Sequence, residues 1–426
     1  MKTKSKLKET EIGMIPEDWE VKNVMQLGKV ITGKTPKTES KDNFGQEYPF
    51  VTPRDMKGQK YIFETERYLS GKGKNSVKNC LIPKNSICVS CIGSDMGKVV
   101  MTTEECITNQ QINSIVPNIS SDFVYYAILN ISASIKNLGK QSTAVPILNK
   151  SQFSKVEITI PSLTIETEKI AKILSDLDDK IGLNQQMNKT LESIGQAIFK
   201  RWFVDFEFPN EQGKPYKSSG GKMTNSEVGE IPKGWEVKPI DEIAGFLNGL
   251  ALQNYPPESE DEYLPVIKIR ELRQGITDSS DKASTKISKE YIINDGDVLF
   301  SWSGSLELVI WTRGKGALNQ HLFKVTSEKY PKWFYYYWVM HHLPEYRQIA
   351  EGKATTMGHI QRHHLKNSFA LVPNYDALSK MDKALNPVFE KLIFANVESE
   401  KLSQIRDSLL PRLMLGKIRV PIEARA

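Results

Sequence analysis

A chain of 426 residues is longer than the roughly 100 to 200 residues at which one hydrophobic core usually closes, so two or more domains are expected. With 39% hydrophobic and 25% charged residues, the composition is that of a globular protein and excludes disorder throughout. The net charge of +6 permits an anionic partner without requiring one, and the absence of any run of about 18 apolar residues predicts a cytoplasmic protein without a membrane span.

The sequence contains an internal repeat. The segment IPEDWEV at 15–21 returns as IPKGWEV at 231–237, and RDM at 54–56 returns as REL at 270–272. Later matches drift by a few residues, as insertions in surface loops would cause. They pair ICVSCIGS at 87–94 with VLFSWSGS at 298–305, NQ at 109–110 with NQ at 319–320, and YY at 125–126 with YY at 335–336. Two copies of one structural unit are therefore expected.

Four cysteines raise the question of a zinc site: Cys80, Cys88, Cys91 and Cys106. Cys88 and Cys91 lie in the strand-like run ICVSCI, where their spacing directs the side chains to opposite faces of a strand. In the second copy their places are taken by Leu299 and Trp302. We therefore expect these two cysteines to be packing residues.

A long amphipathic helix is predicted over residues 163–203, which contain no proline. Apolar residues recur there at heptad spacing: Ile170, Leu177, Leu191 and Ile198, with Ile173, Met187 and Ile194 at the offset-three positions. This pattern is typical of a coiled-coil seam. Asn184 falls on the seam, where it either fixes the register or is exposed near a helix irregularity at Gly182.

The second copy ends on a similar heptad pattern, formed by Met381, Val388, Ala395, Leu402 and Leu409, with Leu385 and Leu392 between them. Two matched seams predict that the helices pair with each other; the alternative is that each helix packs on its own globular half. Ahead of this seam, the run WFYYYW at 333–338 has the aromatic character of a base-stacking platform. Its copy is FVYYAI at 123–128, which favours a half-buried helix or strand.

The order of these features resembles the specificity subunit of type I restriction-modification enzymes. A W-E-V motif, a variable region and a heptad helix are followed by the same three parts again, so the resemblance covers essentially the whole chain. Its most specific segments are AIFKRWFVDFEF at 197–208 and LLPRLMLG at 409–416. The resemblance implies an α+β fold: two globular target-recognition domains, related by the internal repeat, joined by two long helices in an antiparallel coiled coil.

The same resemblance implies domain boundaries, partners and a function. The expected parts are a first target-recognition domain at 1–160, a central conserved helix region at 161–215, a second recognition domain at 216–373 and a distal conserved helix region at 374–426. Each recognition domain would read one half of a split, asymmetric site in double-stranded DNA. Methylation and cleavage would belong to two modification (methyltransferase) subunits and to restriction (translocase-nuclease) subunits. Those partners would carry S-adenosylmethionine, ATP and Mg²⁺, so neither cofactor nor metal is expected on this chain.

The residues themselves favour a chain that is not an enzyme. An adenine methyltransferase needs an N/D-P-P-Y/F motif around the flipped base, and NYPP at 254–257 has the wrong order. No Walker loop occurs. E-V-K at 20–22 and 236–238 resembles a nuclease fragment, but both copies lie in the repeated W-E-V motif, which favours a shared structural role. A coiled-coil adaptor or scaffold without DNA readout remains an alternative, because the repeat and the heptads fit it too.

DNA contacts are expected on loops that carry basic, hydroxyl and amide side chains, since these groups bind phosphates and base edges. In the first copy the candidates are Lys34, Thr35, Arg54, Lys72, Lys74, Ser94, Lys98, Lys140, Gln141, Ser142 and Thr143. In the second copy they are Arg270, Arg273, Ser303, Ser305, Arg313, Lys315, Lys353, Thr355, Thr356, His359, Gln361 and Arg362.

Two of these groups have alternative interpretations. Arg54 and Arg270 occupy the same place in the two copies, so each either grips a phosphate or pairs with a neighbouring acid. The cluster HIQRHH at 359–364 fits a solvated helix face as well as a DNA contact. It also has the spacing of an HxxxH metal pair, although no acidic ligand lies nearby in the sequence.

Overall fold

The computed structural model describes residues 6–139, 146–352 and 358–421. Within these residues the chain divides into two compact units: unit 1 runs up to Gly182 and resumes at Leu402, and unit 2 runs from Leu183 to Lys401. Each unit contains one globular part and a share of two long helices. Helices and short, mostly antiparallel strands are mixed in both units, which confirms the predicted α+β class.

The globular part of unit 1 is built from short elements. Its strands are β1 (Leu7–Thr10), β2 (Gly13–Pro16), β3 (Trp19–Asn23), β4 (Gly28–Thr32), β5 (Phe44–Gly45), β6 (Tyr48–Val51), β7 (Tyr61–Ile62), β8 (Tyr68–Leu69), β9 (Leu81–Ile82), β10 (Ile87–Ser90), β11 (Val99–Thr102), β12 (Cys106–Thr108), β13 (Ile112–Pro117) and β14 (Glu157–Pro161). Its helices are α1 (Val24–Leu27), α2 (Gly71–Ser76), α3 (Ser121–Asn130), α4 (Ser132–Gly139) and α5 (Lys150–Ser154).

Two five-stranded sheets organise this part, in the strand orders β4-β13-β10-β11-β7 and β5-β8-β6-β12-β9. Strand β10 is buried along its whole length, as expected for a strand covered on both faces. One of its faces is covered by α3, which begins where the Ser120 hydroxyl accepts the N–H of Phe123 and which buries Phe123 and Tyr126 completely. One core cluster of unit 1 therefore lies between the first sheet and its helices, and a second lies between the two sheets.

The globular part of unit 2 is built from a corresponding set of elements. Its strands are β15 (Met223–Ser226), β16 (Gly229–Pro232), β17 (Glu236–Pro239), β18 (Gly245–Asn248), β19 (Leu264–Ile267), β20 (Lys282–Ala283), β21 (Ile292–Ile293), β22 (Val298–Ser301), β23 (Leu308–Ile310), β24 (Gly316–Leu318), β25 (Leu322–Thr326) and β26 (Phe369–Val372). The long helices and those of unit 2 are α6 (Thr164–Phe199), α7 (Ile240–Ile243), α8 (Ile269–Gln274), α9 (Lys332–Glu351), α10 (Arg362–Lys366) and α11 (Tyr375–Met414).

The sheets reproduce the sequence repeat. The order β18-β25-β22-β23 in unit 2 repeats the order β4-β13-β10-β11 of unit 1, and the order β19-β24-β21 repeats β6-β12-β9. The register is equivalent too, since Ile87 faces Ile115 in unit 1 and Val298 faces Val325 in unit 2. Strand β7 extends only the sheet of unit 1. The two copies thus share one scaffold and differ at its edges.

Each W-E-V motif lies at the first strand of a two-stranded sheet. The second strand of that sheet leads directly into a long helix. β3 pairs with β14, which places Trp19 opposite Pro161, and β17 pairs with β26. Trp19 and Trp235 are both buried. The motif is repeated because it anchors the beginning of each copy to the start of that copy's helix.

The predicted first helix is confirmed, since α6 continues into a π-helical turn at Lys200–Val204. Segments of α6 and α11 pair within each unit, and in unit 2 the pairing is antiparallel: Asn184 contacts Glu398 and Asn188 contacts Asn396. The seam predicted for the second helix is correct, because none of its seven residues is exposed. No helix in the described part of the chain is both long and apolar enough to cross a bilayer.

The seam predicted for the first helix is partly wrong. Ile173 and Ile194 are 38% and 42% exposed, whereas polar Asp178, Asn184 and Asn188 are buried. Heptad counting follows apolar residues, but here hydrogen bonds between helices hold polar residues in the contact. Asn184 is fully buried and donates to Glu398 Oε2 at 2.7 Å, so the alternative of solvent exposure at this position is wrong.

Two further expectations concern packing, and both are confirmed. The aromatic run at 333–338 forms the start of α9 with five of its six side chains buried, so it is a core element rather than an open stacking platform. Cys88 and Cys91 are buried in two different hydrophobic clusters. Burial raises the pKa of Cys91 to about 11, which keeps this thiol protonated near neutral pH.

Candidate DNA-binding surfaces

In unit 1 the loop after β4 packs against the turn between β12 and β13. The N–H of Lys34 donates to the Thr108 carbonyl at 2.9 Å, and Thr35 Oγ1 donates to Gln110 Oε1 at 2.6 Å. A Cβ at Gly33 would clash with the backbone of Thr108, so glycine permits this close approach. The loop therefore carries the exposed Lys34, and the turn against which it packs carries the exposed Gln110.

Unit 2 repeats this loop contact. Gly249 lies against the Leu318 backbone in the same way, and the N–H of Gln320 donates to the Leu250 carbonyl at 2.9 Å. Sequence reasoning missed Gln110 and Gln320 as candidates. The signal that identifies them is the repeated NQ pair, since an amide at one loop position in both copies suits the bidentate reading of adenine.

The equivalent arginines of the two units have different surroundings. Arg54 is exposed beside buried Asp55, whose carboxylate accepts the backbone N–H groups of Thr52 and Glu66. Arg270 instead donates through Nε to the buried Glu271 at 2.9 Å. Pairing with a neighbouring acid, one of the two predicted alternatives, is thus present in unit 2.

The other described candidates of unit 1 lie on α2 and on the turn after β10. Lys72 pairs with Asp42 at 3.0 Å and Lys74 with Glu105 at 2.6 Å. Ser94 is exposed on the turn. Lys98 lies on the same turn. It pairs with Asp95 at 2.8 Å and donates to the Pro53 carbonyl at 3.1 Å.

In unit 2 several candidates gather around Trp302, which takes the place of the buried Cys91 of unit 1. The Trp302 cluster is formed by Trp302, Ser303, His321, His359 and Arg362. Ser303 is buried and its Oγ lies 3.1 Å from His321 Nδ1, while Ser303 and His359 pair through their backbones. The Trp302 ring lies within 6.3 Å of both histidine rings. The exposed Arg362 at the start of α10 joins the cluster through Phe323, whose ring lies 5.8 Å from the guanidinium and 6.1 Å from the Trp302 ring. Aromatic, imidazole and guanidinium groups on one surface suit contact with DNA bases.

The remaining described candidates of unit 2 are dispersed. Arg313 Nε donates to Glu400 on α11 at 3.1 Å, which ties its loop to the helix. Lys315 and Gln361 are exposed, and the Gln361 backbone N–H donates to His364 Nδ1 at the start of α10. Arg273 and Ser305 line one cavity together.

Seven candidates lie outside the described residues: Lys140, Gln141, Ser142, Thr143, Lys353, Thr355 and Thr356. For every candidate, DNA contact stays a prediction.

The possible metal and nuclease residues have ordinary structural partners. Within residues 6–139, 146–352 and 358–421, His, Cys, Asp and Glu side chains form no group of three that is suited to a metal ion. Glu20 pairs with Lys22 at 3.1 Å, and Glu236 pairs with Lys238 at 2.9 Å. The E-V-K segments therefore form the same local ion pair in both copies.

Two copies of an α+β unit, each with polar loop surfaces and a share of two long helices, define a class of internally repeated proteins. The sequence profile of the type I restriction modification DNA specificity domain matches residues 16–193 and 232–391. The chain belongs to this family, the specificity subunits of type I restriction-modification systems.

Individual relatives agree with this assignment. The MjaIX specificity subunit of Methanocaldococcus jannaschii is 31% identical over 434 residues, which cover 98% of this chain and 97% of that protein. The HindI specificity subunit of Haemophilus influenzae is 38% identical over 191 residues, or 44% of this chain and 41% of that protein. A crystal structure of the type I S subunit from M. genitalium is similar in fold, with a TM-score of 0.57 and 14% identity, covering 97% of this chain and 99% of that one.

Proposed function

We propose that each unit reads one half of a bipartite, asymmetric site in double-stranded DNA. The observation that carries this proposal is that the two units share one scaffold but present different side chains at equivalent places. Lys98 stands in unit 1 where Glu307 stands in unit 2, and Cys91 is buried where Trp302 belongs to a polar cluster. Different groups on equivalent surfaces select different bases, so two half-sites with unlike sequences follow.

The chemistry of the system is assigned to partners in this proposal. Two modification subunits would use S-adenosylmethionine to methylate adenine, and restriction subunits would use ATP and Mg²⁺ for translocation and cleavage. This chain would supply no catalytic residue and would act in the cytoplasm with them. The supporting observations are the sequence's lack of a methyltransferase N/D-P-P-Y/F motif and of a Walker loop.

Mapping methylated adenines tests the proposal directly. The full chain is co-expressed with modification subunits of its own system, and the methylated positions are read by sequencing. We expect one split motif with unlike ends, which appears only when both kinds of subunit are present. Methylation by the purified chain alone would contradict the division of labour. A mobility shift assay with the complex separates this function from that of an adaptor, which would bind no DNA.

A matched pair of variants tests whether the units read independently. Gln110→Ala alters unit 1, and Gln320→Ala alters the equivalent loop position of unit 2. If these amides contact bases, each variant relaxes one half of the motif, by about 1–3 kcal/mol of discrimination. The other half stays unchanged because its unit is untouched. A change in both halves from either single variant would contradict independent reading.

A further inference from the structure

Unit 2 has a cavity of about 520 Å³ beside the turn between β22 and β23. Its wall includes two arginines and two glutamates: Arg273 from α8, Glu307 from the turn, and Arg347 and Glu351 from α9. Ser305 also lines the cavity and is exposed. The charges of these four described side chains sum to zero.

Glu307 holds both arginines. Its Oε1 accepts from Arg273 Nε at 3.1 Å and from Nη2 at 2.5 Å, and its Oε2 lies 3.4 Å from Arg347 Nη2. Arg347 Nε also donates to the Leu306 carbonyl at 3.0 Å. The Glu307 side chain is only 26% exposed, whereas Arg273 and Arg347 are 54% and 47% exposed. The carboxylate is therefore a partly buried support, and the guanidinium groups face the solvent.

In this arrangement Arg273 still has N–H groups that Glu307 does not use. A guanidinium carries five N–H groups, and Arg273 uses its Nε side to reach Glu307. The edge formed by Nη1 and Nη2 still suits a bidentate contact with two neighbouring acceptor atoms. In DNA, such pairs are the O6 and N7 atoms of guanine and the oxygens of a phosphate.

The equivalent position of unit 1 carries the opposite charge. In unit 2 the N–H of Glu307 donates to Ser301 Oγ at 2.7 Å, and in unit 1 the N–H of Lys98 donates to Ser90 Oγ at 2.9 Å. Ser90 and Ser301 end the equivalent strands β10 and β22. The Lys98 side chain turns to Asp95 and the Pro53 carbonyl, so unit 1 does not repeat the arginine pair. The glutamate-held pair is thus specific to unit 2.

We propose that Arg273 and Arg347, held in place by Glu307, form a DNA-reading site of unit 2 that binds a group with two adjacent acceptors, either a guanine edge or a phosphate. Arg273 and Arg347 contact the DNA, and Glu307 is a positioning residue. This inference rests on the proposed function, because it names which groups of one unit meet the DNA.

The test uses the full chain with its modification subunits and three substitutions: Arg273→Gln, Glu307→Gln and, as a matched control, Glu351→Gln. If Arg273 reads guanine, Arg273→Gln relaxes one base pair in one half of the methylated motif by roughly tenfold or more. If it binds phosphate, affinity falls for all sequences alike and the slope of affinity against salt decreases by about one. Glu307→Gln shows a weaker form of the same change, because its amide no longer holds both cations.

The control and the wild type separate the possible failures. Glu351→Gln removes a carboxylate from the same cavity, so it reproduces the change in charge without releasing Arg273. If Glu351→Gln and Glu307→Gln have equal effects, the loss of one negative charge from the cavity explains both. That result would overturn the positioning role of Glu307. A normal motif in wild type that Arg273→Gln and Glu307→Gln both leave intact, with unchanged salt dependence, would overturn the site. Absence of any motif in wild type would instead refute the proposed function. Thermal unfolding of each variant shows that the fold is kept.

Discussion

The two units attach their globular parts to the long helices by different chemistry. In unit 1 a buried polar network accompanies the apolar contact of the long helices. Asp178 on α6 accepts from Tyr126 on α3 and from Arg406 on α11, both at 2.6 Å. Lys60 is buried as well and reaches Asp122 at 2.7 Å and Ser175 at 2.9 Å.

In unit 2 the corresponding contact is aromatic. Phe199 stacks on Phe203 at 5.0 Å and meets Tyr337 and Trp338 of α9 at 5.6 and 5.1 Å. Trp235 of the W-E-V motif also packs on Phe203, with ring centroids 5.5 Å apart.

One scaffold therefore tolerates two kinds of contact between its globular part and the long helices. The two contacts lose stability through different kinds of substitution. Aromatic packing loses stability when volume is removed, because a cavity remains. A buried ionic network loses stability when one partner is removed, because a charge is left without compensation. Substitutions that match each chemistry therefore separate the two units experimentally.

The largest effect is expected for Phe203→Ala in unit 2. Phe203 is 1% exposed and contacts five aromatic rings, so its truncation should lower the free energy of unfolding of unit 2 by about 3–5 kcal/mol. Hydrogen exchange measured by mass spectrometry locates the loss in unit 2. The matched control is Phe394→Ala, since Phe394 is 58% exposed on α11 and should change stability by less than about 0.5 kcal/mol. Equal losses in the two variants would show that the aromatic cluster does not hold unit 2 together.

A somewhat smaller effect is expected for Asp178→Asn in unit 1. The substitution keeps the size of the side chain but removes the negative charge that faces the partly buried Arg406, at a cost of about 3 kcal/mol. Urea unfolding combined with hydrogen exchange should place this loss in unit 1. The control is Asp176→Asn, two positions away, whose exposed pair with Lys172 contributes only about 0.5 kcal/mol. If the free energy of unfolding falls by the same small amount in both variants, the network does not stabilise unit 1.

The sequence predicted the architecture well where the signal is local or repeated. The long helix at 163–203 matches α6 and its π-helical turn because helical periodicity persists over many turns. The W-E-V motif, present twice, predicted two equivalent units, and the sheet orders agree with it. The predicted domain boundaries stay a prediction.

What the sequence did not predict depends on residues far apart in the chain. Asp178 and Arg406 meet only after both helices have folded, and heptad counting passed over Asp178 because it is not apolar. The support of Arg273 by Glu307 was missed for the same reason, since neither spacing nor repeat connects them. Candidate DNA contacts were chosen by residue type, so paired cations such as Lys74 and exposed ones such as Lys34 received equal weight.

The smallest effect concerns the acid sensitivity of unit 1. Arg419 clasps Asp18 with two hydrogen bonds, at 2.9 and 2.7 Å, and these bonds hold the pKa of Asp18 below its ordinary value. A carboxyl group with a lowered pKa in the folded state stabilises the protein above its unfolded pKa, near 3.9, and loses this contribution as pH falls through the folded value.

Asp18→Asn should therefore lower the free energy of unfolding near pH 7 by less than about 1 kcal/mol, because the pair is partly exposed and screened. The deficit relative to wild type should shrink below pH 4 and vanish once the wild-type carboxyl group is protonated. Urea unfolding of both proteins from pH 7 to pH 2.5 measures this difference. Glu17→Gln, a neighbouring exposed substitution, is the control and should follow wild type throughout. A deficit for Asp18→Asn that stays constant down to the lowest pH would show that Asp18 acts through its shape and hydrogen bonds rather than its charge.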